Sequence, residues 1–143
     1  MLTVRLAERR DVAAMHSIRL AARENPLPAT LGIGAESYFP FVDAGCAWVA
    51  ERESAVLGFA ALDEASSGVW ALFVDPKSEG VGVGRVLHDA LITGAIDRRL
   101  HQLRLATAAG TRAETFYRRL GWRETGRDPR GQVLFELCLP LLA

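Results

Sequence analysis

The residues of this chain best suited to chemistry are the three alternating glycines of Gly80-Val81-Gly82-Val83-Gly84, set between an apolar run and a helical pattern. Without Cβ atoms, such a backbone can approach a ligand closely. The first-turn amides of the next helix then point outward at the positive end of its dipole. The stretch from Gly80 to Arg85 is thus a candidate phosphate cradle, although a tight turn with no ligand would use the same glycines. Two familiar phosphate loops do not fit. A dinucleotide fingerprint counted from Gly80 and Gly82 needs glycine where Arg85 stands, and it belongs to an opening βαβ unit. A nucleotide P-loop needs Gly-Lys-Ser/Thr, where this chain has Gly84-Arg85-Val86. Cys46 and Cys138 sit among apolar residues without metal-type spacing and read as buried free thiols. His16, His88 and His101 are too scattered for a zinc site, so no metal is expected.

The hydrophobic pattern supplies the elements that must hold this loop. Thr3 to Leu6 reads as a short strand. Val12, Met15, Ile18 or Arg19, and Ala22 recur at helical spacing, with Asp11 in the first turn where it suits the dipole. Asn25-Pro26-Leu27-Pro28 ends that helix. The irregular stretch up to Gly45 carries Leu31, Ile33, Tyr38, Phe39 and Phe41, enough apolar mass to pack around a short helix and wall a pocket. Strands are expected at Cys46–Glu51 and Ala55–Leu62, joined by a hairpin at Arg52-Glu53-Ser54. Val69–Val74 shows no alternation, as in a strand buried on both faces. The glycine stretch opens a helix with Leu87, Leu91 and Ala95 on one face, and Leu103–Ala108 is a further strand. Thr111-Arg112-Ala113-Glu114 has the capping-box pattern, and the helix it starts stops at Gly121. Trp122–Thr125 and Val133–Leu139 form a last hairpin. The order predicts a mixed α/β (α+β) fold: one domain over residues 1–143, a central mixed sheet of six to seven strands, and helices on both faces.

The length of 143 residues suits one domain, and 50% hydrophobic with 24% charged residues describes an ordinary globule. Seventeen basic and seventeen acidic residues cancel, which argues against a protein built to grip nucleic acid. No apolar run has the length of a membrane span and the N-terminus lacks a signal-peptide layout, so a cytoplasmic protein is expected. Sixteen arginines accompany a single lysine, Lys77; arginine suits bidentate phosphate and carboxylate contacts, though genomic bias gives the same count.

Strand Ala71-Leu72-Phe73-Val74-Asp75-Pro76, the loop from Glu79 to Gly84, and Ala113-Glu114-Thr115-Phe116-Tyr117-Arg118-Arg119-Leu120-Gly121-Trp122 together resemble the GNAT superfamily of acetyl-CoA-dependent N-acetyltransferases. The order of elements matches over essentially the whole chain. The resemblance implies acetyl-CoA as co-substrate, bound where the fourth and fifth strands, Val69–Val74 and Leu103–Ala108, splay apart. Leu72, Phe73 and Val74 would lie along the pantetheine arm, the backbones of Leu72 and Val74 pairing with it and the Leu72 amide polarising the thioester carbonyl. The amides of Gly80, Val81, Gly82, Val83, Gly84 and Arg85 would hold the pyrophosphate, with charge from Arg85 and Arg112. Tyr117 takes the position of the family tyrosine that protonates the departing thiolate; a core aromatic is the competing reading.

This chain departs from the family pattern at three places. Glu79 and Val81 stand where the loop usually carries Gln or Arg and a second basic residue, so Glu79 must face solvent or pair with Arg85 or Lys77. Gly110 stands where many members have asparagine, and Leu105 where some have a carboxylate base. Glu24 is therefore the tentative base, with Glu36, Asp63 and Glu64 as other candidates and a water relay or free amine as alternatives. The function implied is direct acetyl transfer in a ternary complex to a primary amine on a small molecule or peptide. A non-catalytic acyl-CoA-binding module is the alternative. No nucleic acid or membrane partner is expected, and the Leu-rich terminal hairpin offers a surface for a homodimer. Residues 1–75 carry a net charge of −4 and residues 76–143 a net of +4, which fits a cationic amine and an anionic cofactor approaching different regions.

Overall fold

The computed structural model of the chain describes residues 1–22 and 34–140. Seven strands form one sheet: β1 (Thr3–Leu6), β2 (Ala47–Arg52), β3 (Ala55–Asp63), β4 (Gly68–Val74), β5 (Gln102–Thr107), β6 (Arg123–Arg127) and β7 (Val133–Cys138). Their order is β1-β2-β3-β4-β5-β7-β6, and β4–β5 is the parallel pair in an otherwise antiparallel sheet. The helices are α1 (Val12–Ala21), the short α2 (Phe39–Asp43), α3 (Val83–Asp97) and α4 (Arg112–Arg119). This is the mixed sheet with helices on both faces that the hydrophobic pattern predicts.

Strand alternation sends Val49 and Phe59 to one face of the sheet, and Trp48, Ala50 and Ala60 to the other. On the first face, α1 lays down Val12, Met15 and Ile18 beside Tyr38. On the second, α3 and α4 bring Leu87, Leu91 and Tyr117 against Leu103 and Phe135. Asp11 is buried in the turn before α1, where it accepts two hydrogen bonds from Arg5 (2.8 and 2.9 Å) and one from the Glu8 amide (2.7 Å). It ties β1 to α1 through a charged pair rather than acting on the helix dipole alone.

Helix α3 approaches β2 closely because Gly94 has no side chain. A Cβ there would lie 2.5 and 2.6 Å from two ring carbons of the buried Trp48. Alanine would gain about 1 kcal/mol in helix propensity, but forcing a methyl group into that contact costs about 1–3 kcal/mol. Gly94→Ala is expected to lower the unfolding free energy in urea, and a rise would show that the Trp48 ring has room to move.

The feature that positions the site is the parting of β4 from β5. Their register contains a single pair, Gly68 with Arg104, next to a 2.9 Å hydrogen bond from the Arg104 amide to the Ser67 carbonyl. Strand β4 also carries a bulge: Leu62 pairs with Val69 and Ala61 with Ala71, leaving Trp70 as the extra residue. The bulge turns Trp70, Ala71 and Phe73 toward α1, while Val69, Leu72 and Val74 face α3 and α4.

Three local readings need correction. In β4 only Ala71 is fully buried, because the gap beside β5 opens the strand that the unalternating run suggested was covered on both faces. Cys46 is buried but Cys138 is exposed, since it ends β7 at the sheet margin. Thr111 Oγ1 does accept the Glu114 amide (3.3 Å), yet the Glu114 carboxylate accepts from the amide of Gly110 (2.8 Å) and not from that of Thr111.

Candidate active site

The backbone polarity of β4 follows from its pairing. The Asp75 amide donates to the Leu57 carbonyl (2.8 Å), and Phe73 lies opposite Phe59. Because backbone groups alternate sides along a strand, those of Phe73 face β3, while those of Leu72 and Val74 face the gap. An internal strand edge is thereby left without its neighbour. Phe73 does not share this role: its backbone belongs to β3 and its ring to the α1 side of the sheet.

Beyond β4, Gly80 (φ +82°) and Gly82 (φ +91°) adopt the left-handed region. A Cβ at either would meet nothing within 4 Å, so the dihedral and not crowding demands glycine. Gly82 is the N-cap of α3 and offers no side-chain cap, which leaves the first-turn amides of a fifteen-residue helix without intrahelical partners. Helix α4 differs, because Thr111 and Glu114 already occupy amides at its start. Gly84 has another use: a Cβ would come 3.3 Å from the Phe116 ring, so its absence lets α3 seat on α4. Val81 is 55% exposed and does not line the cleft. The Glu79 carboxylate lies 3.5 Å from Arg112 rather than beside Arg85 or Lys77, and Arg85 lies 3.6 Å from Asp89. Gly110 is left-handed (φ +76°), a conformation asparagine also tolerates.

Tyr117 is buried among the rings of Phe116, Trp122 and Phe135, with centroids 5.2, 5.5 and 6.2 Å away. Burial pushes its phenol above the usual tyrosine range, so it stays protonated at any working pH. Its hydroxyl makes no hydrogen bond to another described residue, and the side chain lines the cleft. Trp122 Nε1 donates to His88 Nε2 (3.0 Å), which fixes the helix-end tryptophan to α3 and leaves the ring proton of neutral His88 on Nδ1.

Burial also pushes the His88 pKa below the ordinary histidine value. As pH falls through ~6.5, the unfolded chain takes up this proton before the folded one, so stability is complete above that value and declines below it. Urea midpoints should fall between pH 7.5 and 5.5, and His88→Gln should flatten that slope. An unchanged slope would assign it to other groups.

These elements enclose a cleft of about 1050 Å³ that passes through the sheet between β4 and β5. Its walls include Arg19, Ala22 and Trp70 on the α1 side, Gly80, Gly82, Gly84 and Arg85 at the loop, and Phe116 and Tyr117 on the α4 side. Arg19, Arg85, Arg112, Arg119 and Arg130 line it, against a single acid, Glu79, among the described residues. A pyrophosphate fits this charge and the uncapped start of α3. The carboxylate candidates fare differently. Glu24 lies outside the described residues. Glu36 is exposed on the turn before Tyr38, Glu64 pairs with Arg98 (3.3 Å), and neither they nor Asp63 line the cleft, whereas Leu105 does. Among the described residues no group of three or more His, Cys, Asp or Glu could hold a metal ion, and no helix is long and apolar enough to cross a membrane. Arg19 was not foreseen as a site residue; its signal was an arginine falling on the apolar spacing of α1.

The model of the acetyltransferase (GNAT) domain matches residues 41–133. The chain belongs to the GNAT acetyltransferase family. This GNAT chain is accordingly an acetyl-CoA-dependent N-acetyltransferase, with acetyl-CoA as co-substrate. Its fold is that of yncA from Salmonella typhimurium, solved with its cofactor acetyl-CoA (TM-score 0.83, 20% identity, 100% of this chain and 96% of that one). Rv2747 from Mycobacterium tuberculosis, solved in complex with CoA, is similar at a TM-score of 0.79 and 22% identity over 96% and 99% of the two chains. The ribosomal-protein-S18-alanine N-acetyltransferase of Escherichia coli follows at 0.76 and 19%, over 100% and 97%. No curated protein matches the chain in sequence.

Proposed function

We propose that residues 1–143 form one cytoplasmic domain that moves the acetyl group of acetyl-CoA directly to a primary amine within a ternary complex. One observation carries the reading: the unpaired edge of β4, the uncapped start of α3 and the Tyr117 side chain all open on one basic cleft. When bound, acetyl-CoA supplies an activated acyl thioester. The backbones of Leu72 and Val74 extend the sheet to its pantetheine arm, as an added strand would. The Leu72 amide donates to the thioester carbonyl, stabilising the negative charge that develops on that oxygen during attack. The amides from Gly80 to Arg85 hold the pyrophosphate, Arg85 adds charge, and Arg112 stands between that anion and Glu79. Tyr117 keeps its proton through burial and delivers it to the leaving sulfur.

No described carboxylate faces the cleft at the place of Leu105, so the amine reacts as its neutral fraction or loses its proton through water, with Glu24 as the candidate base. A homodimer through the β6–β7 hairpin, where β6 is an open edge of the sheet, belongs to the same reading. The experiment is a thiol-release assay with acetyl-CoA against a broad panel of amines. The expected result is acceptor-dependent CoA formation whose rate climbs with pH toward the amine's own pKa. Tight acyl-CoA binding with no CoA release from any acceptor would contradict it.

A further inference from the structure

Arg19 is the least satisfied charged group among the described residues. It sits on α1 with 7% of its surface exposed, and its Nε and Nη1 have neither solvent nor a hydrogen-bond partner among the described residues. The Trp70 ring lies 4.7 Å and the Phe73 ring 5.0 Å from its Cζ. Aromatic faces attract the flat guanidinium through their quadrupoles but accept none of its in-plane N–H bonds. Tyr38 lies within hydrogen-bonding reach of the guanidinium and favours the cation while its hydroxyl also meets His16 Nδ1 at 2.9 Å, but a neutral phenol supplies no counter-charge. A buried cation with no counter-ion among the described residues is costly, and the cost is recovered when an anion arrives.

Its place in the cleft says which anion. Arg19 enters the cleft from the α1 face, across the sheet from Tyr117 and away from the glycine loop. The bulge at Trp70 is what turns the two rings toward it. If the loop side takes the cofactor, the α1 side is where the acceptor enters. A purely cationic amine would be repelled there, whereas a molecule carrying both an amine and an anion is held by its anion. One guanidinium balances one negative charge, which favours a carboxylate over a doubly charged phosphate.

We propose that Arg19 anchors the acceptor by its carboxylate, so that the amine acetylated by this protein belongs to the amino-carboxylic acid class, as in a free α-amino acid. The assignment rests on the acetyl-transfer reading above and names its substrate class.

The test compares free L-amino acids with their methyl esters in the thiol-release assay, with wild type, Arg19→Met and Arg19→Lys. Blocking the carboxylate leaves more of the amine neutral, so intrinsic reactivity favours the ester. The wild type is nevertheless expected to prefer the acid at least tenfold in kcat/KM. In Arg19→Met that ratio should fall to one or below through a higher KM for the acid, with CoA affinity by calorimetry unchanged; Arg19→Lys should keep part of it. A merely structural arginine would lower the thermal midpoint without moving the ratio. Esters or simple alkylamines used as well as acids by the wild type would overturn the assignment while leaving acetyl transfer intact. CoA release from no acceptor at all would instead overturn the transfer reading. Calorimetry of the same amino acids into CoA-saturated protein would then decide Arg19: binding that Arg19→Met abolishes supports the anchor, and absent or unaltered binding overturns it. Should Arg19→Met not fold, the wild-type ratio and Arg19→Lys decide.

Discussion

Tyr117→Phe is expected to lower kcat by about 10²- to 10⁴-fold, the range for losing a positioned proton donor, while the dissociation constant of acetyl-CoA stays nearly unchanged. The hydroxyl makes no hydrogen bond to another described residue, so its removal costs none among them. The ring keeps its packing against Phe116, Trp122 and Phe135, and the thermal midpoint should stay near that of the wild type. A proton donor to sulfur acts in the transition state, so its loss falls on turnover and not on ground-state binding. Steady-state kinetics with calorimetry separate the two. Equal losses in kcat and in acetyl-CoA affinity, or a large fall in stability, would make Tyr117 a packing residue.

Gly82→Val is the second large effect, and it acts on binding. A β-branched residue at φ +91° is strained by about 1–3 kcal/mol. The space around Gly82 is open, so the loop can relax away from that dihedral. Relaxation rotates the amides at the start of α3 away from their common target. The expected result is a rise of roughly 10- to 100-fold in the CoA dissociation constant, which is that strain expressed in affinity. The exposed loop adds little to the core, so the thermal midpoint should fall only slightly. Unchanged CoA affinity would remove the phosphate-holding role from this loop.

The parts of the site that were legible in the sequence are those where backbone geometry restricts residue choice. Gly80 and Gly82 are required by their positive φ, and Gly121 (φ +92°) ends α4 in the same conformation. The strands were legible as apolar runs between turn residues, with β1 read at Thr3–Leu6 as observed. What could not be read depends on elements distant in sequence. The opening beside β4 exists because β5 leaves after one register pair and Trp70 bulges, and no local pattern in Val69–Val74 reports either event. The partner of Glu79 proved to be Arg112 from the start of α4, thirty-three residues on. Arg19 shared the helical spacing with Ile18, and only the rings of Trp70 and Phe73 show why a cation occupies that face. Gly94 lacks a turn signal of any kind, because its reason is the ring of Trp48 on another element.

In the proposed mechanism the gap between β4 and β5 receives acetyl-CoA as a missing strand, with Tyr117 beside the sulfur. A crystal structure of the protein with CoA tests it most directly. The expected structure has pantetheine hydrogen bonds to the backbones of Leu72 and Val74, pyrophosphate oxygens on the amides from Gly80 to Arg85, and the sulfur within reach of the Tyr117 hydroxyl. CoA bound elsewhere, or bound in the cleft with its sulfur remote from Tyr117, would contradict it.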